Sequence, residues 1–324
     1  MKKRTGIRYL LVIICALILV YLINSQPVEH YIEVVKYQTE KVDRPVHDDE
    51  ALRRQIEEWK QGREQAPIDA RLDPVWKAAI PGYNGRIVDV EASLRKLQEA
   101  ESPSPELLIY REVPPAVSVE TLGRYPIRQG NPQKPAISFM INVAWGNEYL
   151  DMILDTMDRY QVKTTFFLDG SWVKRYPDLA KKIADRGHEI GNHAYSHPDM
   201  SKLGESRIRQ EIGRTQQVIE KTLGIKPTLF APPSGAFNQA VVNISQSEFG
   251  MKTILWTADT VDWRKPSVQT LIHRIEPKMG NGVLVLMHPT APSAEALSQL
   301  IRLAKQKGLK PTTVSEVISS RRLP

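Results

Sequence analysis

The chain predicts an α/β fold, a parallel sheet or a barrel, over most of its length, and three observations carry that reading. Short apolar strand candidates alternate with helical stretches from about residue 136 onward. The polar residues with chemical potential fall at the C-terminal ends of those strands, where α/β folds collect their chemistry. An apolar run behind a basic start predicts that this part is exported.

Residues 1–23 open with "MKKRTGIR" and continue into the uninterrupted apolar run Tyr9–Ile23. The run is short of the ~20 residues of a spanning helix, which leaves anchor and cleaved signal both open. No small-x-small cleavage site follows in "NSQPVEH". The reading taken is an uncleaved single-pass signal anchor, its basic end cytoplasmic and the rest extracytoplasmic, at the membrane or in the cell-wall space. Cys15 is the only cysteine, and Ile14 before it is not the small residue of an acylation site. An exported chain without further cysteines makes no disulfides and depends on its core.

Residues 24–66 are polar, and "DDEALRRQIEEWKQGREQ" (Asp48–Gln65) combines helix formers with mixed charge, which predicts a helical stalk. Residues 67–129 contain turn signals at Pro81, Gly82 and Asn84-Gly85, then a short strand and a helix within "IPGYNGRIVDVEASLRKLQEA" (Ile80–Ala100). This predicts a small α+β accessory domain. "RQGNPQKP" (Arg128–Pro135) is its boundary, so the α/β domain takes residues 130–324.

In that domain the strand candidates are Ala136–Asn142, Thr164–Leu168, Glu189–His193, Thr228–Pro233, Lys252–Trp256 and Gly282–His288. Helices between them include Pro177–Gly187 and Ser206–Gly224. The strand ends bring up Asn142, His193, the Pro232-Pro233 turn, Asp259 and Asp262, and His288.

"GNHAYSH" (Gly191–His197) sets two histidines four positions apart. That spacing suits a metal, and equally two imidazoles sharing a face for packing or solvation. Four further stretches stand in order around it: "VKTTFFLDG" (Val162–Gly170), "FAPPSGAFN" (Phe230–Asn238), "WTADTVDW" (Trp256–Trp263) and "LMH" (Leu286–His288). Together they resemble the polysaccharide deacetylase family, the NodB homology domain of carbohydrate esterase family 4, over about Ala136–Leu309. Within it they are most similar to members from spore-forming Gram-positive bacteria.

The resemblance implies a deformed (β/α) barrel of the NodB type. It also implies a protein of peptidoglycan or spore cortex, acting on N-acetylated amino-sugar polymers by hydrolysis of the acetamide C–N bond. The family uses a divalent metal, zinc foremost, held by an Asp and two His, with a second Asp as base and a His as acid. His193 and His197 match the metal histidines. His288 matches the acid, and Asp262 the carboxylate that orients it. Trp263, Pro233 and Trp145 are candidate walls for a sugar ring, with Tyr195 and Phe237 beside them.

The first motif departs from the family. Anchored on Trp145-Gly146 of "MINVAWGNEY" (Met140–Tyr149), the base position is Asn142 and the metal Asp position is Val143. The Arg that orients the base is Ala231. A neutral amide takes no proton from water, so loss of the base alone costs about 10²- to 10⁴-fold. An Arg without its carboxylate would be an uncompensated charge, so Asn142 and Ala231 belong together. Glu148 is the one nearby carboxylate in sequence. Either a slow deacetylase, weak in metal, or a degenerate glycan-binding or scaffold protein fits this pattern. The net charge of +7, spread over 324 residues, does not single out a partner, and nucleic acid conflicts with export.

Overall fold

The computed structural model describes residues 20–21, 30–36 and 48–322. The expected anchor Tyr9–Ile23 lies, except for Val20 and Tyr21, outside the described residues. Among the described residues no helix is long and apolar enough to cross a membrane.

The described residues fall into two compact units, those up to Glu64 with Ile87–Arg111, and Gln65–Arg86 with those from Glu112 onward. The units are interleaved in sequence, whereas the partition read from turn signals is sequential. In the first unit, helices α1 (Asp49–Trp59) and α2 (Val90–Gln98) are capped by Asp48 and Asp89, whose carboxylates accept the Glu50 and Ala92 amides. Leu52, Ile56, Leu94 and Leu97 bury their shared apolar stripe with Val88 and Leu108.

The second unit is built on one eight-stranded sheet whose strands all pair in parallel: β1 (Ala136–Val143), β2 (Thr165–Leu168), β3 (Glu189–Asn192), β4 (Leu229–Phe230), β5 (Lys252–Thr253), β6 (Ala258–Asp259), β7 (Val283–Met287) and β8 (Lys310–Pro311). The order is β6-β7-β1-β2-β3-β4-β5, with β8 also pairing β1. The barrel is therefore incomplete, because β5 and β6 do not pair. Ile127 pairs in parallel with Ile254 just beyond β5, its amide donating to the Thr253 carbonyl at 2.9 Å and its carbonyl accepting the Leu255 amide at 2.8 Å.

Helix α3 (Asn147–Arg159) follows β1, and α4 (Gly170–Arg175) and α5 (Pro177–Asp185) follow β2. Then α6 (Glu205–Leu223) follows β3, α7 (Gln239–Ser247) follows β4, α8 (Val268–Ile275) follows β6 and α9 (Ala291–Gln306) follows β7.

Alternation along β1 sets the two layers. Ile137, Phe139, Ile141 and Val143 enter a large cluster with α3, α8 and α9. Ala136 and Met140 face the other way, into a smaller interior cluster with Phe167, Leu229, Ala231 and Ile254. Every residue of β1 is buried, as a strand covered on both faces requires. Each fully buried Leu, Ile or Phe of this kind contributes roughly 1.5–3 kcal/mol.

Candidate functional site

The site lies where β1, β3, β7 and the loop after β6 end. Parallel register aligns those ends: Asn142 pairs Phe167, Leu168 pairs Asn192, and Asp259 pairs Leu286. The Thr260 hydroxyl then donates to the Leu286 carbonyl at 2.9 Å, which carries Asp262 to the end of β7 beside His288.

Asp262 is fully buried and accepts three hydrogen bonds. Its Oδ1 takes the His288 Nδ1–H at 2.8 Å, and its Oδ2 takes the His288 main-chain N–H at 2.6 Å and the Ser293 hydroxyl. Burial pulls its carboxyl upward, but the His288 side chain, the Ser293 hydroxyl and the His288 amide outweigh it and hold the group below the ordinary Asp value. With Nδ1 engaged, Nε2 is the imidazole nitrogen left for a ligand. The Trp145 ring stacks on the same imidazole, centroids 5.8 Å apart and planes within 9°.

His193 and His197 come together with ring centroids 5.2 Å apart. His193 is buried, and its Nδ1 bonds the Ala231 carbonyl at 2.7 Å, so Nδ1 carries the proton and Nε2 is the free nitrogen. Burial, together with the neighbouring His197, pushes its pKa down to about 3. His197 is lowered as well, chiefly by burial. Ala194 (φ 61°) and His197 (φ 55°) both adopt the left-handed conformation, costly for residues with a Cβ.

That turn is held by a group the sequence reading passed over. Glu211 of α6 is buried, and its carboxylate accepts the Tyr195 amide at 2.9 Å, the Ser196 amide at 2.8 Å and the Ser196 hydroxyl at 2.8 Å. A carboxylate on the buried stripe between Ile208 and Ile212 was its sequence signal. Asp169, also passed over, caps α4 after β2 by accepting the Trp172 amide and the Ser171 hydroxyl. Burial raises its carboxyl, while those two hydrogen bonds and the charge of nearby His197 oppose this. The Asp-Gly-Ser sequence after a strand was legible as a helix start.

Asn142 is 2% exposed and its Oδ1 has no hydrogen-bond partner. Val143, at the expected metal carboxylate position, packs in the sheet–helix cluster. Ala231 is fully buried. The residues do not fit the divalent ion that the resemblance implies: a zinc site takes three protein ligands, and among the described residues no three His, Cys, Asp or Glu side chains are placed to share an ion. His193 and His197 are the donors that remain.

Other candidates divide. Trp145 (44% exposed) and Trp263 (51%) are open to solvent, and the Arg264 guanidinium lies 4.7 Å from the centre of the Trp263 ring. Pro233 is buried and begins the turn Pro233–Gly235. Tyr195 is covered by Arg214 at 3.8 Å, and Phe237 packs in an apolar cluster with Ala194, Met200 and Phe230. Asp259 turns back to accept the Val261 amide, and Glu148 lies beyond Trp145, lining a separate pocket.

The chain belongs to the polysaccharide deacetylase family. The family model described as polysaccharide deacetylase matches residues 129–254. The uncharacterized protein YlxY of Bacillus subtilis is 50% identical over 260 residues, 80% of this chain and 81% of that protein. A peptidoglycan-N-acetylglucosamine deacetylase of Bacillus cereus is 32% identical over 178 residues, 53% of this chain and 64% of the relative. Among solved structures, BA3943 from Bacillus anthracis, a CE4 family pseudoenzyme, aligns with a TM-score of 0.77 at 42% identity, covering 84% of this chain and 96% of that one. A BA3943 mutant with restored enzymatic activity aligns with the same TM-score at 40% identity, covering 84% and 99%. The fold and the ordered motifs thus define a deacetylase-like protein in which Asn142 and Val143 end the first strand of the sheet.

Proposed function

We propose that this chain binds N-acetylated amino-sugar polymers of the cell wall, peptidoglycan or spore cortex, without hydrolysing them, while its N-terminal segment holds it at the outer face of the membrane. The observation that carries this is the end of β1: a buried neutral amide at Asn142, followed by Val143 committed to the apolar layer. Hydrolysis needs a group that takes a proton from the attacking water, and Asn142 takes none at any working pH. His288, oriented by Asp262, is then an acid with no attack to complete, and its Nε2 serves as a hydrogen-bond partner for the sugar. Trp145, Trp263 and the Pro233 turn supply apolar faces for the pyranose, and His193 and His197 a polar floor. The naming of BA3943 as a pseudoenzyme, and of its mutant as restored, supports the reading.

The test is acetate release from acetylated chito-oligosaccharides, run beside calorimetric binding of the same oligomers. The expected result is binding without acetate from the wild type, and acetate from the variant carrying Asn142→Asp and Ala231→Arg, which restores a base and its cation while leaving Val143 in the apolar layer. One observation favours a second reading, a slow deacetylase: the Asp262–His288 pair keeps an acid's geometry intact. Wild-type acetate release that disappears in His288→Ala would establish it and overturn the first.

A further inference from the structure

Beyond Trp145 from the histidines lies a cavity of about 460 Å³ that the resemblance assigns to nothing. It is walled by Trp145, Tyr149 and Pro292, and Glu148, Glu295 and Lys265 also line it. Trp145 is shared: its ring stacks on His288, yet the residue is 44% exposed and lines this second space. Glu148 stands in the first turn of α3 and Glu295 in the first turns of α9, with Lys265 between β6 and α8. Among the described residues, none of these three charges is engaged in an ion pair, whereas Asp151, Asp155 and Asp158 of α3 all are.

We propose that this cavity binds a de-N-acetylated hexosaminyl unit, a sugar with a free amine, on the same glycan whose N-acetylated units occupy the cleft. The proposal rests on the amino-sugar reading given above. An aromatic ring and proline suit the C–H face of a pyranose. Two carboxylates against one ammonium leave the lining net negative, which complements a protonated amine. Lys265 has only protons to give and suits the hydroxyl oxygens. An acetamido group in that position carries no charge, so the carboxylates would lose hydration and gain no ion pair. Neutral sugar is therefore disfavoured here for the same reason that the amine is favoured. The protein would sense partly deacetylated wall, the product of the active relatives, and bridge modified and unmodified units.

The experiment titrates the full chain by calorimetry with two probes, a fully de-N-acetylated chitosan pentamer and its fully acetylated counterpart. The wild type is compared with the double variant Glu148→Gln, Glu295→Gln. These exposed substitutions keep side-chain volume and spare the core. The expected result is a loss of about tenfold in affinity for the de-N-acetylated pentamer, with affinity for the acetylated pentamer unchanged. An unchanged affinity for the de-N-acetylated probe in the double variant overturns the proposal, as does its failure to bind the wild type. If the acetylated probe alone fails to bind, the cleft reading falls and the cavity stands; if the variant weakens both probes equally, the cavity does not discriminate the amine and the proposal falls.

Discussion

Asp262 grips His288 twice, accepting the imidazole Nδ1–H at 2.8 Å on one oxygen and the main-chain N–H of the same residue at 2.6 Å on the other. Ring and backbone are thus fixed by a single buried carboxylate. The substitution Asp262→Asn would turn one acceptor into a donor facing donors, and is expected to lower stability at pH 7 by about 1–3 kcal/mol. The Asp262 carboxyl is depressed in the folded state, so the stabilisation it provides is present above the unfolded Asp value and fades as pH falls through the folded one. Urea unfolding at pH 7 and pH 3 checks this: the gap between wild type and variant must narrow in acid, and a constant gap would refute it.

His188 is buried against the Phe166 ring at 5.0 Å, and burial pushes its pKa down to about 4. The unfolded chain therefore binds a proton between about pH 6.5 and 4 that the folded chain refuses, so stability is lost as pH is lowered across that window. The slope is about 1 kcal/mol per pH unit at most. His188→Asn should remove this contribution, and parallel stability–pH curves for the two proteins would contradict the assignment.

Ala231 sits in the interior cluster with Met140 and Phe167, and no carboxylate stands at Asn142 to meet a cation there. Ala231→Arg alone is expected to cost about 3–5 kcal/mol, and adding Asn142→Asp should recover part of it. A double-mutant cycle by thermal unfolding measures the coupling. Additive effects would show that the two positions do not communicate. Val143→Asp alone should also destabilise, since it sends a carboxylate into the layer of Ile141 and Leu150.

Gly146 has φ 85°, and a Cβ there would stand 2.0 Å from the Pro289 carbonyl oxygen. Gly146→Ala is thus both strained and obstructed, and should cost more than about 2 kcal/mol while shifting Trp145 off His288. Tryptophan fluorescence and chemical unfolding report both effects. Wild-type stability in this variant would mean that the two loops are free to separate.

The parts of this architecture that were legible from sequence are those with strong local signals. β1 and β7 are largely apolar runs because both of their faces are covered, and α6 carries a buried stripe from Ile208 to Ile219. β6 and β8 escaped notice because neither lies in an apolar run, unlike the equally short β4 and β5; their pairing with β7 and β1 is decided by neighbours far away in sequence. His193, His197, Asp262 and His288 were found through motif spacing, whereas Glu211 was not, because its importance comes from the turn it supports. The face on which Val143 points was also beyond reach. Motif spacing gives a residue's position, and only the pleat gives its direction.

The open side of the sheet has a further consequence. Parallel edges with unpaired backbone groups invite strands from other molecules. Here Ile127, itself flanked by Ala79 through a second parallel bridge, covers the chain just past β5. Because this cover precedes the sheet in sequence, it leaves the ribosome before the edge it will protect exists. A truncation that begins after Ile127 would keep all eight strands of the parallel sheet and every motif, yet present a raw edge to its copies. Such a fragment would reveal the cover's role through self-association in solution, long before any change in ligand affinity.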